Sequence, residues 1–562
     1  MTKRYIKKLI TLIAGLTLLL NIVACNQHFT APATSDARKA AEKEYDMSFE
    51  LKEKDIASDE SRAEWVFISE DGTLEVTVNW SAKNPDKYVF DDKKLKDPDP
   101  TESTEKDVEA INSEIDEILN ETTVTAEETE PYYDYDNGNQ TITIGSGSEV
   151  INLWSFTVEI PNMVYTYVML YPEFGERYTV KCTIIPTDGG AYQSALDAAL
   201  VSGGDYAPDI YAAEAAFVVK YTQGDMAQFA ATYKSLGIDV DTMAAEADIA
   251  PYTIDMGSRY GEIVALSYQA TGGVMIYRSS IAKEVFGTDD PSEIEYIMGA
   301  GSGSWYDFFD AADTLNDYGY AIVSGTNDLW NVCDKSASSA WIVDGSLNIA
   351  PEREEFFDLG KELKDEGYCN DSYSWTESWY ADMRGEGNRP VFCFFGPAWL
   401  INYVMIGNSG GTQRGEGTYG DWRVCAPPVG FFWGGTWVLA KDGTKHVDGV
   451  AELLTWITLD TSETGLQYLW ANDMMGNGAI DTVASAVVMA KSNGSLPFCG
   501  GQDIFPAFIA GNSNARGYAM TQYDETINYY FTDAASQYFD GYVDKYSAIQ
   551  SFQNNVYNNL YF

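Results

Sequence analysis

The sequence predicts an α/β fold whose sheets are open and flanked by helices, and three features carry that reading. Residues 150–214 run strand, helix, strand, helix, strand, the alternation that lays parallel strands side by side. Two further short apolar strands, Ile263 to Tyr268 and Val274 to Tyr277, are parted by Gly272-Gly273, and a buried strand in RPVFCFFG leads into a helix near Trp399. At 562 residues the chain has room for several domains and ample core.

The chain opens on an export signal. Lys3, Arg4, Lys7 and Lys8 form a basic end, and Leu9 to Leu20 an apolar run too short for a membrane span. Ile22-Val23-Ala24-Cys25 then looks like a lipobox, so residues 1–24 are expected to be a signal peptide and Cys25 the lipidated first residue of the mature chain. Residues 25–145 form an acidic extension with runs such as DDKKLKDPDPTESTEKD, expected to be largely solvated spacer. Two pieces of it read as structured. In EWVFISEDGTLEVTVNW, Asp71-Gly72 marks a hairpin turn, with Leu74, Val76, Val78 and Trp80 alternating on one face. In KDVEAINSEIDEILN, Val108, Ile111, Ile115 and Ile118 fall at helical spacing. The acidic DYDNGN at Asp134 lacks the ligand pattern of an EF-hand and reads as a turn.

Ile151, Leu153 and Trp154 form the first strand of the α/β stretch, with Ser155, Thr157 and Glu159 in the polar loop at its end. Asn162 to Phe174 is helical, and Tyr178 to Ile185 is a second strand rich in β-branched residues. Tyr192, Ala195, Leu196, Ala199 and Leu200 share a helical stripe that Gly203-Gly204 stops. A third strand follows in APDIYAAE, with Asp209 just inside it and Glu214 just beyond. Ligands of such lobes sit outside the carboxyl ends of the strands, where Thr157, Glu159 and Glu214 are expected to cluster. Helices are expected over Tyr221 to Met243, Trp305 to Leu315, PEREEFFDLGKELKDEG with Pro351 at its start and Gly367 at its end, Val447 to Leu459, and Tyr523 to Leu560.

Several of these segments carry a resemblance. The LWS at Leu153, the run ALVSGGDYAPDIY, GEIVALSYQATGGVMIYR and the piece GGTWVLA resemble, in order and spacing, the family 1 extracellular solute-binding proteins, the sugar-capturing subunits of ABC importers. The resemblance runs from about Ile151 to the C-terminus. It implies a two-lobed periplasmic-binding-protein-like fold of type II, each lobe an open sheet flanked by helices, here behind an acidic N-terminal extension. On this reading lobe one takes residues 146–270 and 425–480, lobe two 271–424, and residues 481–562 belong to lobe two and the hinge. The resemblance puts Tyr268 near the cleft, makes Trp399 the candidate aromatic platform for a sugar ring, and favours Trp433 beside Gly434-Gly435. Trp330 in TNDLWNV and Asp503 in GGQDIF complete the candidate contacts, with Glu159 and Glu214 as acceptors of sugar hydroxyl bonds.

Composition narrows the classes. A formal charge of −49 argues against nucleic acid and anionic ligands and leaves neutral solutes and cations. Fourteen Trp, 38 Tyr and 85 acids suit a sugar site, since aromatic faces stack on C–H surfaces and carboxylates accept hydroxyl bonds. Only His28 and His446 are available as imidazoles, and no GxSxG occurs, which disfavours nucleophilic triads and metal sites; no cofactor is expected. The glycine-rich GAGSGSW lacks the lysine of a phosphate loop. The six cysteines after Cys25 are widely spaced, without CxxC, and read as buried free thiols. The sequence thus predicts a monomeric, lipid-anchored binding protein, not an enzyme. Taken with the resemblance, its expected role is capture of a neutral mono- or oligosaccharide for ABC permease subunits, with membrane contact only through its anchor. A surface glycosidase with two carboxylates, or a peptide-capturing lipoprotein on the same fold, are the alternatives.

Overall fold

A computed structural model describes residues 139–204, 207–475 and 480–562, together with the strands at 49–56, 62–69, 74–81, 88–94 and 123–125. The signal segment, Cys25, the Asp71-Gly72 turn, the 108–118 helix and most of DYDNGN lie outside the described residues. The chain divides into two compact units, Met1–Ile111 and Asn112–Phe562.

In the first unit, β1 (Phe49–Ile56), β2 (Arg62–Ser69), β3 (Leu74–Ser81) and β4 (Tyr88–Lys94) make one antiparallel sheet in chain order. The predicted hairpin is its centre: Trp65 pairs with Val78 and Phe67 with Val76. Val76 and Val78 are buried and Thr77 between them is less so, the alternation a one-sided sheet requires. The outer strands correct the expectation of spacer. FELKEKDI hides its period because the register slips between Leu51 and Glu53, and YVFDDKK alternates only at its start.

The second unit begins with β5 (Thr123–Thr125), β6 (Gln140–Gly145) and β7 (Glu149–Ser155). Then come α1 (Glu159–Leu170), β8 (Tyr178–Ile184), α2 (Ala191–Ser202) and β9 (Ile210–Glu214). Tyr192, Leu196, Ala199 and Leu200 are the buried stripe of α2, and the Tyr192 hydroxyl donates to the Ala212 carbonyl at 2.7 Å, pinning the helix across β9. Glu214, expected just beyond its strand, is the last residue in it, and Asp209 precedes it.

After β10 (Ala265–Ser267) the chain leaves this sheet and β11 (Val274–Arg278) begins another. There follow α3 (Thr326–Lys335), α4 (Pro351–Asp365), α5 (Glu377–Arg384), β12 (Cys393–Gly396) and β13 (Trp422–Cys425). Then β14 (Thr436–Ala440) returns to the first sheet, followed by α6 (Val447–Thr458), α7 (Phe505–Asn514), α8 (Asp524–Phe539) and α9 (Lys545–Asn559). The first sheet has the order β10-β14-β9-β7-β8-β6-β5, with β7 parallel to β8 and β9, and β14 antiparallel between β9 and β10. That antiparallel strand, contributed by the returning chain, ties the late part of the sequence into the first lobe. The second sheet has β11 between β12 and β13, antiparallel to both.

The two passages between the sheets run side by side. Gly272 bridges Phe432, the Gly273 N–H donates to the Phe431 carbonyl at 2.9 Å, and the Trp433 N–H to the Thr271 carbonyl at 3.1 Å. A Cβ on Gly273 would lie 2.0 Å from the Phe431 ring, so only glycine lets the strands approach this closely. The Gly272 N–H donates to Asn512 Oδ1 at 2.7 Å, tying α7 to the same crossing. One hydrophobic cluster surrounds the first sheet and continues through Phe394 and Trp422 of the second; another is built around α3, α4, α8 and α9. All six described cysteines are free and buried. No helix among the described residues is long and apolar enough to cross a membrane.

Candidate functional site

The carboxyl ends of β7 and β9 meet through Phe156 and Phe217, ring centroids 6.0 Å apart, and face the returning chain ahead of β14. Glu214 is paired with Thr436 in that ladder. Gly434 and Gly435, at φ +76° and +111°, turn the chain sharply there, and the turn is held by the Ala215 N–H on the Gly435 carbonyl and the Thr271 hydroxyl on the Gly434 carbonyl at 2.7 Å. A Cβ on Gly434 would sit 3.2 Å from Trp399 Nε1 and 3.6 Å from Glu214 Oε1. Trp399, from the second lobe, and Glu214, from the first, therefore converge over the bare backbone of this glycine.

Three indoles build the wall above it. Trp399 Nε1–H donates to the Trp433 carbonyl at 2.9 Å, and the two rings stand edge to face at 4.9 Å. Trp375, in the loop before α5, lies parallel to Trp399, with centroids 6.1 Å apart and planes 10° from parallel, and meets Trp433 edge-on at 6.0 Å. Its backbone takes φ +68°, uncommon for a side chain of this size, and its side chain is 52% exposed. Trp379 of α5 supports it from below at 5.4 Å, itself anchored by Nε1–H to Asp328. Trp375 went unselected in the sequence; the signal available was the aromatic density of SYSWTESWY.

Three carboxyls occupy the seam. Burial pushes Glu214 up to about 7, against the opposing pull of the Ala216 N–H at 2.6 Å and of Lys335 in the last turn of α3. Glu159, first residue of α1, is pushed up to about 8 by burial and by the charge of Asp481. Asp481 is raised to about 6, also by burial, although it accepts from Gln269 Nε2 at 3.1 Å and the Thr482 N–H at 2.7 Å; Tyr403, from the second lobe, also bonds it. The seam thus offers carboxyls that exchange protons near neutrality, one beside the indole wall and a pair linked to Tyr403.

The structure brings Glu214, Trp399 and Trp433 together and sets Glu159 on a second cluster with Asp481. Tyr268 is 1% exposed, edge-on to Trp470 at 6.0 Å, and its hydroxyl is buried without a partner. Trp330, one of the candidate contacts, lies within α3 and packs between Phe531 and Phe356 in the second lobe's core. Asn327 and Asn331 beside it are half-buried, while Asp328 is buried with it and accepts the Trp379 Nε1–H. Asp503 sits exposed on a two-residue strand, accepts from the Phe505 N–H at 3.2 Å, and has no contact with the indole wall. Trp437 is core, its Nε1–H on the Thr253 carbonyl. No group of His, Cys, Asp or Glu that could hold a metal occurs among the described residues.

A two-lobed α/β chain with a paired-strand crossing and an aromatic seam is a ligand-capturing protein of the periplasmic-binding class. The chain belongs to the bacterial extracellular solute-binding proteins, whose family profile matches residues 160–463. It is accordingly a binding protein and not an enzyme. Similar solved structures include an extracellular solute-binding protein of family 1 (TM-score 0.59, 16% identity, 73% of this chain and 99% of that one). The sugar-binding protein MalE of Xanthomonas citri is similar at TM-score 0.56 and 14% identity, over 72% of this chain and 96% of that one. The galacto-N-biose-/lacto-N-biose I-binding protein of Bifidobacterium longum is similar at TM-score 0.55 and 16% identity, over 74% and 98%. No curated protein sequence matches the chain significantly.

Proposed function

We propose that the chain captures a neutral mono- or oligosaccharide in the cleft between its lobes and delivers it to ABC permease subunits, as a monomer held at the outer face of the membrane by a lipid on Cys25. The observation that carries this is the convergence of Trp375, Trp399 and Trp433 with Glu214 over the Gly434 backbone. Flat indole faces match the C–H faces of a pyranose, and a carboxylate at the rim accepts its hydroxyl hydrogens. The paired crossing at Gly272-Gly273 and Phe431–Trp433 is the hinge about which the lobes close. The lacto-N-biose named for the Bifidobacterium neighbour and the sugar-binding name of the Xanthomonas one support the same class of solute. Glu159, on the first lobe's side, is a further acceptor for hydroxyl bonds.

The test is a tryptophan-fluorescence and thermal-shift titration of the protein against a panel of neutral mono- and oligosaccharides, with the sugar recovered and analysed afterwards. Saturable shifts with one sugar class, recovered intact, support the reading. Silence across the panel together with a response to peptides would replace it with the peptide-capture alternative. Retention of the protein in the soluble fraction of cells after Cys25→Ser, against membrane retention of the parent, tests the anchor.

A further inference from the structure

The end of the first sheet remote from Glu214 gathers cations that this chain elsewhere uses sparingly. Because β14 runs antiparallel to β9, the loop after it returns to the amino ends of β7 and β9, bringing Lys441, Lys445 and His446 there. Lys181 of β8 pairs with Asn152 and projects on the same side. With Trp154 at its floor, this group lines a cavity of about 500 Å³, within the size range of small-molecule sites. The chain has 36 Lys and Arg against 85 acids, so three lysines and a histidine around one cavity run against its prevailing charge.

Lys181 and Lys441 have no ion pair among the described residues. Asp209 is the one carboxylate among the described lining residues, and both its oxygens are engaged, Oδ2 by the Asn152 N–H at 2.9 Å and Oδ1 by the Thr444 hydroxyl at 2.6 Å. Glu149, outside the lining, approaches His446 Nδ1 at 3.4 Å. Among the described residues neither Lys181 nor Lys441 has an acceptor for its ammonium group, although both are partly buried. Partly desolvated ammonium groups without partners are costly, and a ligand that supplies oxygens in several directions relieves that cost.

We propose that this cavity is a second binding site, separate from the sugar cleft, for a small phosphate-bearing solute held by Lys181, Lys441 and His446. Ammonium groups act as compact charges with rotatable donors, suited to the tetrahedral spread of phosphate oxygens. Val150, which lines the same cavity and is exposed, gives the remainder of the solute an apolar surface. The many acids elsewhere do not cancel the site, since at physiological ionic strength charges beyond about 8 Å are screened. A cavity of about 500 Å³ is of the size that takes a small molecule, so the occupant is a free solute.

His446 is itself the reporter. The chain's only other histidine is His28, so a full-length His28→Gln variant leaves a single imidazole signal in the proton NMR spectrum. Inorganic phosphate is titrated at fixed pH and ionic strength, with chloride as the control anion. The expected result is a saturable displacement of the His446 signal by phosphate. Its apparent affinity falls at least tenfold in Lys441→Ala and in Lys181→Ala and is retained in Lys441→Arg, which keeps the charge and guards against misfolding as the cause. A phosphate response no larger than that to chloride overturns the proposal, as does a saturable response that survives the Lys181→Ala/Lys441→Ala double variant.

Discussion

Replacing Glu159 by Gln should stabilise the protein, and only at neutral and alkaline pH. In the folded chain the carboxyl is raised to about 8 from an ordinary 4.5, by burial and then by Asp481. A raised acid binds its proton more tightly folded than unfolded, so its favourable contribution is full below the unfolded value and is lost as pH rises toward the folded one. At about 1.4 kcal/mol per pH unit the ceiling is roughly 5 kcal/mol. Glu159 keeps some solvent contact, and screening reduces the expectation to about 2 kcal/mol. Glutamine retains the shape and carries no charge, and it also removes the repulsion felt by Asp481. Denaturant unfolding of parent and variant at about pH 5 and about pH 9 gives the answer. The two should be close in stability at the lower pH, with the variant ahead by about 2 kcal/mol at the higher. Equal pH slopes, or a variant weaker at alkaline pH, would refute the placement of Glu159 as a destabilised carboxylate kept for ligand.

Trp375→Ala should weaken sugar binding about tenfold, a loss of about 1.4 kcal/mol, while leaving the melting temperature nearly unchanged because the side chain is 52% exposed; calorimetric titration and a melting curve separate the two effects. Trp399→Ala should cost at least as much affinity, and unchanged affinity would return Trp399 to the core. Gly273→Ala places a methyl 2.0 Å from the Phe431 ring and should cost about 1–3 kcal/mol of stability, with a ligand-dependent change in radius of gyration that small-angle scattering finds reduced. Arg353→Ala removes the buried partner that, with Lys335, holds Asp334 down to about 2 against burial, and should destabilise by on the order of 3–5 kcal/mol near neutral pH. The parent's share from Asp334 is present above the ordinary carboxylate range and is lost as pH falls through about 2.

The elements with strong local periodicity were legible in the chain itself. The stripe of α2, the proline start of α4 and the hairpin of β2 and β3 each follow from spacing and turn chemistry alone. Glu214 was selected for its place at a strand end and Trp399 by the resemblance, and the two converge over Gly434. Trp375 escaped because its role rests on a left-handed backbone in an irregular loop and on a neighbour 24 positions later in the sequence. Trp330 entered the candidates through the resemblance, and its helix buries it in the second core. Asp481 and Gln269 meet across 212 positions, a pairing no local pattern announces.

By itself the sequence determined the class of fold, the parallel βαβ order of the first lobe, and an acidic, aromatic chemistry suited to neutral solutes, because periodicity, turn residues and charge act over a few residues at a time. Only the tertiary structure decided which tryptophans form a wall and which fill a core, which carboxylates are desolvated, and where lysines gather. Burial and protonation depend on neighbours brought in from distant parts of the chain, and those neighbours are set when β14 returns between β9 and β10.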